Sequence, residues 1–267
     1  MSVPFKFAHI SDTHVRPDAP GQSQVFIDHL AQIEAGDYAF VIHTGDLMEE
    51  PSAWSARVFR TMASTLSIPI YLVPGNHDVY NPHLGGAEAP WWAELAVDSR
   101  LEAQYRSWFG PNWYAFSYHG ACFVAIDSLI VNSGLPEEEA QWEWLEVTLA
   151  ELAARRPDHL VLFTHLPLFI HDPYEQLDPT DFRNRYLLLA PPGRNRLLRL
   201  VRRYHVDAVL TGHLHAPWEM SHSWPEGFTT HFITTGSSGP VSPMAIDHFD
   251  LPLDPAHGLG FHEHRVG

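Results

Sequence analysis

Residues 68–78 read Ile68-Pro69-Ile70-Tyr71-Leu72-Val73-Pro74-Gly75-Asn76-His77-Asp78. The first seven form an apolar, β-branched and aromatic run of the kind that becomes a buried strand. The last four place an amide oxygen, an imidazole and a carboxylate in one glycine-led turn. Glycine and asparagine are ordinary turn residues, but a turn made only for geometry gives no account of the histidine and aspartate that follow. The same strand-then-ligand arrangement recurs along the chain. Asp12-Thr13-His14 follows residues 5–10, Gly45-Asp46 follows 39–44, His165 follows 159–164, and Gly212-His213-Leu214-His215 follows 206–211. In an extended segment, residues two apart point the same way, so Asp12 and His14 can meet one ion. Taken singly, an Asp-x-His, a Gly-Asp or a lone strand-end histidine reads equally well as a turn, a cap or a structural residue. Five such signals beyond five separate strands read as one metal site, gathered where a parallel sheet brings its carboxyl ends together.

Between the strands lie helical patterns. The clearest is 136–156, where Trp142, Leu145, Leu149 and Leu152 fall on one face, Pro136 and three glutamates suit the first turn, and Arg155 and Arg156 suit the last. Alternating strands and helices predict an α/β fold with largely parallel strands. Residues 114–118 and 122–127, joined through His119-Gly120, predict a hairpin. The tail, 218–266, predicts short antiparallel edge strands. Residues 79–97 and 167–192 lack a clear period and read as binding loops or lids, with His83, Trp91, Trp92, His171, Tyr174, Arg183 and Arg185 as lid candidates. The whole of 1–267 reads as a single domain.

Charge narrows the function. With 16 basic and 32 acidic residues the net charge is −16, which argues against a broad surface for extended nucleic acid. An anionic substrate then needs a local positive centre, and 19 histidines offer the ligands for one. Cys122 is the only cysteine, which excludes an intramolecular disulfide, and it lies in an apolar run that suits a buried hydrophobe better than a nucleophile. No apolar run approaches the roughly 18 residues of a membrane span, and the amino terminus carries no export pattern, so the expectation is a cytoplasmic protein without a membrane partner. Arg194, Arg196, Arg199, Arg202 and Arg203 read as the solvated face of a helix whose buried stripe holds Leu197, Val201 and Tyr204. His9 and His43, within or ending ligand strands, read as supports for the site or as core histidines.

The ordered set Asp12-x-His14, Gly45-Asp46, Gly75-Asn76-His77-Asp78, His165 and Gly212-His213-x-His215 resembles the calcineurin-like metallophosphoesterase superfamily. The resemblance implies a four-layer αββα sandwich with mixed, largely parallel sheets, and a centre of two divalent or transition metal ions (Mn, Fe, Zn or Co). It implies that Asp12, His14 and His215 hold one ion, that Asn76, His165 and His213 hold the other, and that Asp46 bridges them. Two divalent ions against two carboxylates leave a centre of about +2, able to attract phosphate and to acidify a bridging water. His77 is then the catalytic helper that stabilises phosphate oxygens or protonates the leaving alkoxide, with Asp78 or Glu49 to orient it.

Departures from particular branches narrow the substrate. Glu49 stands where purple acid phosphatases have a metal-binding tyrosine, and Glu49-Glu50-Pro51 replaces the arginine-bearing stretch with which phosphoprotein phosphatases clamp a phosphate dianion. The remaining pattern is similar to bacterial class III cyclic-nucleotide phosphodiesterases and glycerophosphodiesterases, which implies a phosphodiesterase with a small-molecule phosphoester substrate. Residues 108–128 are similar instead to small monoesterases, some acting on phosphoproteins, so a phosphomonoesterase using the same site is the alternative. A metal-free scaffold would be expected to have lost ligands, and a nuclease would need a basic groove. Oligomeric state is left open.

Overall fold

The computed structural model describes residues 4–80, 97–177, 186–239 and 262–266. Strand β1 (Phe5–Ile10) leads to α1 (Gln24–Ala35), β2 (Val41–His43), α2 (Ala53–Ala63) and β3 (Ile70–Leu72). The short helix α3 (Asn76–Val79) and α4 (Ser99–Phe109) precede the hairpin β4 (Tyr114–Tyr118) and β5 (Ala121–Ala125). Then come α5 (Pro136–Arg155), β6 (His159–Phe163), α6 (Gly193–Arg203), β7 (Ala208–Thr211), β8 (Trp218–Ser223), β9 (Thr229–Thr234) and β10 (His262–Val266). Local chemistry sets several ends. Ser52 caps α2 by accepting from Ser55 N–H, and Asp98 caps α4 by accepting from Leu101 N–H. Helix α5 opens on Pro136 and Glu137, Glu138 and Glu139 and closes near Arg155, complementing its dipole.

The strands form two sheets. One has the order β10-β1-β2-β3, parallel except for β10; the other has the order β4-β5-β6-β7-β9-β8, with β5, β6, β7 and β9 parallel. Side-chain alternation explains how they pack. Phe5 and Phe7 of β1, Ala121, Phe123 and Ala125 of β5, and Val161 and Phe163 of β6 join Phe40 in the core between the sheets. Phe40 stacks on Phe7 at 5.2 Å and meets Phe123 edge-on at 5.2 Å. The alternate residues, Ala8 and Ile10, Cys122 and Val124, and Leu160 and Leu162, belong to a second core with the buried faces of α1, α2, α5 and α6. Two sheets back to back with helices outside make an αββα sandwich of mixed, mostly parallel sheets.

The structure corrects three expectations. The five ligand-bearing strands do not share one sheet: β1, β2 and β3 lie in the first and β6 and β7 in the second. In the tail, β8 and β10 are antiparallel edge strands as expected, but β9 is interior and parallel to β7. Its half-buried alternation cannot distinguish an edge strand from one flanked on one side by the preceding hairpin strand β8 and on the other by β7. Arg194 is not on a solvated face. It is 3% exposed, donating through Nη2 to the Glu175 carbonyl and through Nε to Asn195, while Leu197 and Val201 are buried as expected. Of the lid candidates, Tyr174 and His171 are exposed, and His83, Trp91, Trp92, Arg183 and Arg185 lie outside the described residues. Among the described residues no helix is long and apolar enough to cross a membrane.

Candidate dinuclear metal centre

The loops after β1, β2 and β3 meet those after β6 and β7 where the carboxyl ends of both sheets come together. Asp12, His14, Asp46, Asn76, His165, His213 and His215 all converge there, and all but His215 are buried. The backbone that presents them is unusual. Asp12, His14, Asp46, His213 and His215 have φ of 55°, 43°, 55°, 71° and 57°. Left-handed backbone costs energy in residues other than glycine and persists only where surrounding contacts enforce it. Asp12 and His14 therefore reach one point through left-handed turns and not along an extended segment. Those turns are held by Asp12 N–H and His14 N–H donating to the carbonyls of Gly45 and Asp46, at 2.9 and 3.0 Å.

Glycine is required where the loops touch. A Cβ on Gly75 would collide with the main-chain nitrogen and Oδ1 of Asp46, and one on Gly212 would collide with Ser11 Oγ. Asp78 ties the turn to its neighbour, its carboxylate accepting the N–H groups of Gly75, Leu47 and Met48 at 2.9–3.0 Å. His43 accepts from Gly45 N–H at 3.2 Å and contacts Thr13 Oγ1, and His9 contacts Thr44 Oγ1. Both support the ligand loops and touch no ligand side chain in these bonds.

The ligand atoms fall into two groups that share one carboxylate. His14 Nε2 and His215 Nε2 are 3.0 Å apart, and His215 Nε2 is 3.3 Å from Asp12 Oδ1. His165 Nε2 is 3.1 Å from both Asn76 Oδ1 and His213 Nδ1. Asp46 Oδ2 stands between, 3.5 Å from His14 Nε2 and 3.5 Å from His165 Nε2. Atoms of Asp12, His14, Asp46 and His215 lie within 4.8 Å of one another, as do those of Asp46, His165 and His213.

Hydrogen bonds on the far side of the rings decide which nitrogens point inward with a lone pair. His165 Nδ1 donates to the Thr44 carbonyl at 2.7 Å, His213 Nε2 to the Tyr186 carbonyl at 2.8 Å, and His14 Nδ1 to the Glu49 carboxylate at 3.0 Å. Three inward lone pairs crowded against two carboxylates form a donor set that suits cations. Burial alone would raise the Asp46 carboxyl, but the charges of His165 and His77 more than reverse it and hold it well below the usual range. Burial is likewise outweighed at Asp12 by His215, leaving Asp12 ionised. Two buried carboxylates that stay charged call for positive charge beside them. Burial opposes protonation of His165, but Asp46 and Asp12 lift it to about 9, so a cation bound there would displace the Nε2 proton to free that lone pair, while burial with the neighbouring His165 lowers His213 to about 3.

His77 sits beside the first group, its ring centroid 4.6 Å from that of His14, and its main-chain N–H donates to Asp46 Oδ1 at 2.9 Å. Neither expected carboxylate orients its ring. Nδ1 donates instead to the main-chain carbonyl of Glu49 at 2.9 Å, since the Glu49 side chain is engaged with His14 and Asp78 with backbone amides. The acceptors at Thr44 and Tyr186 had no sequence signal, because every residue carries a carbonyl. Glu49 was visible as an acid three positions after Asp46, but its actual partner was not.

Residues 5–217 match the calcineurin-like phosphoesterase family model. The chain belongs to the calcineurin-like phosphoesterase family. This calcineurin-like phosphoesterase is 32% identical over 152 residues to the zebrafish (Danio rerio) serine/threonine-protein phosphatase CPPED1, covering 55% of this chain and 42% of the relative. It is 28% identical over 184 residues to a probable glycerophosphodiester phosphodiesterase, GpdQ, of Arcobacter nitrofigilis, covering 66% and 56%. Over 231 residues it is 24% identical to the 3′,5′-cyclic adenosine monophosphate phosphodiesterase CpdA of Haemophilus influenzae, covering 82% and 72%. The chain spans about half the length of the phosphatase relatives it matches. Among solved structures it superposes on the purple acid phosphatase PPD1 of yellow lupin with a TM-score of 0.69 at 18% identity, over all of this chain and 50% of that one. At that identity the likeness is one of fold.

Proposed function

We propose that this phosphoesterase hydrolyses small phosphodiesters, such as cyclic nucleotides or glycerophosphodiesters, at a centre of two cations. Asp12, His14 and His215 would hold one ion, Asn76, His165 and His213 the other, with Asp46 shared. When bound, such a pair neutralises phosphate charge and acidifies a water into a nucleophile near neutral pH. The mixed nitrogen and oxygen donors suit Mn, Fe, Zn or Co.

The observation that carries the diester reading is the charge around the centre. Among the described residues, the rim beside His14 and His77 presents a carboxylate, Glu49, and the neighbouring Arg16 is engaged bidentately with Asp18. A monoester dianion is favoured by an arginine fork, whereas a diester with one negative charge needs no such clamp. The alignment with CpdA, which covers more of this chain than that with CPPED1, supports the same reading.

His77 supplies the proton. Its Nδ1–H is committed to the Glu49 carbonyl, so in the imidazolium form it is Nε2–H that donates to the departing ester oxygen or to a phosphate oxygen, leaving the ring neutral once the proton has moved. Asp46 keeps one oxygen, Oδ1, on the His77 amide and turns Oδ2 to both ligand groups. The higher identity to CPPED1 favours a second reading, a phosphomonoesterase or protein phosphatase using the same residues.

The test is the ratio of kcat/KM for bis-p-nitrophenyl phosphate to that for p-nitrophenyl phosphate, with Mn²⁺ supplied and with metal chelated. A metal-dependent preference for the diester is expected. A preference for the monoester moves the assignment to phosphatase, and metal-independent turnover would sink the dinuclear reading.

A further inference from the structure

The four histidines of the centre are supported unequally. His165 and His213 each donate the outer N–H to a main-chain carbonyl, Thr44 at 2.7 Å and Tyr186 at 2.8 Å. Both acceptors belong to the chain path itself. His14 is different: its outer nitrogen, Nδ1, donates to a side chain, Glu49 Oε2, at 3.0 Å. His215 Nδ1 is buried and has no hydrogen-bond partner among the described residues. In the group formed by Asp12, His14 and His215, the imidazole of His14 is therefore held on its outer side by a carboxylate that is one-third exposed.

Glu49 is well placed to do this. Its N–H donates to the Val15 carbonyl at 3.3 Å, and Val15 pairs with Met48 in an isolated parallel bridge. That bridge fixes the loop after β2 against the loop after β1, so Glu49 and His14 are held in register by backbone. The Glu49 carbonyl accepts His77 Nδ1 at 2.9 Å. One residue thus restrains an ion-facing histidine with its side chain and the neighbouring His77 with its main chain.

We propose that Glu49 is a positioning residue that fixes His14 in the Nδ1–H tautomer and so presents the Nε2 lone pair to the ion shared with Asp12 and His215. Carboxylate partners of ligating histidines orient the ring and raise its basicity toward the metal. The proposal rests on the two-ion reading above but not on the choice of substrate. It assigns the carboxylate to one ion only, because His165 and His213 have acceptors of their own.

The experiment is a Mn²⁺ titration of the metal-stripped protein by calorimetry, without substrate, for wild type, Glu49→Ala and Glu49→Gln. In Glu49→Ala, one of the two binding events should weaken roughly 10- to 100-fold while the other is unchanged. Glu49→Gln, whose amide oxygen can still accept from Nδ1–H, should stay within about threefold of wild type. Histidine ¹⁵N shifts of the metal-free proteins should place the His14 proton on Nδ1 in wild type and Glu49→Gln, and lose that preference in Glu49→Ala. Unchanged affinity at both sites in Glu49→Ala, or equal weakening in both variants, overturns the proposal. Wild type that binds no Mn²⁺ would overturn the metal reading beneath it. Failure to hydrolyse either ester would bear on the substrate assignment and leave this result standing.

Discussion

The main-chain N–H of His77 donates to Asp46 Oδ1 at 2.9 Å, which turns the other oxygen, Oδ2, to a point 3.5 Å from both His14 and His165. A carboxylate pinned on one side and shared on the other is what a bridging ligand requires. Asp46→Asn removes the charge and replaces one oxygen with an N–H₂ group. Loss of an outer-shell partner alone costs about 10- to 100-fold, so loss of this group should lower both metal occupancy and kcat/KM by at least about a hundredfold. Metal content by plasma mass spectrometry, read beside kinetics, checks this, and a fully active Asp46→Asn would remove the bridging role.

His77 offers no ligand atom to the two cation groups in the proposed arrangement, so its loss should separate binding from chemistry. His77→Ala should keep both ions while kcat falls about a hundredfold to ten-thousandfold, the range for a general acid. A parallel loss of metal would instead make it part of the cation site.

Gly75 has no room for a side chain, because its Cβ would meet Asp46. Gly75→Ala should cost about 1–3 kcal/mol through forced displacement of one loop against the other. The expected result is a melting temperature lower by several degrees together with reduced metal occupancy. An unchanged melting temperature would mean that the loops can part without cost.

Away from the centre, Asn112 Nδ2 donates to Asp127 Oδ2 at 2.8 Å and also to Glu102 Oε2, and all three residues are buried. Burial first, and then the charge of Asp127, push the Glu102 carboxyl up to about 10. The folded protein then keeps a proton that the unfolded chain releases above its ordinary value of 4.5, so this group lowers stability progressively as pH rises from there toward 10. Glu102→Gln keeps a neutral side chain with no proton to lose. Its melting temperature relative to wild type should be higher at about pH 8.5 than at about pH 5.5. A difference that does not change with pH would show that Glu102 is ionised in the folded protein.

Much of the architecture was legible because it follows from local chemistry. The apolar runs ending in Gly, Asp, Asn or His became β1, β2, β3, β6 and β7, and Pro136 to Arg155 became a helix with Trp142, Leu145, Leu149 and Leu152 buried. Periodicity and capping are short-range properties, so residue order is enough to read them. The candidate ligands were legible for a related reason: aspartate, asparagine and histidine placed immediately beyond strands are conspicuous whatever the strands do next.

What residue order could not decide are the relations between segments. That the ligand strands divide between two sheets follows from which faces bury Phe7, Phe40, Phe123 and Phe163 together, a choice made across more than a hundred residues of chain. Asp12 and His14 converge through left-handed backbone, which is stable only because the carbonyls of Gly45 and Asp46 hold it. The outer partners of the histidines belong to the same class. An acid near His77 was visible in the sequence, but tertiary packing placed the Glu49 carboxylate on His14 and its carbonyl on His77. Sequence by itself determined which chemical groups are present and which lie at strand ends, because side-chain identity and local period are encoded residue by residue. Only the tertiary structure decided which nitrogen of each histidine faces inward, because that depends on acceptors brought from distant segments by the packing of two sheets.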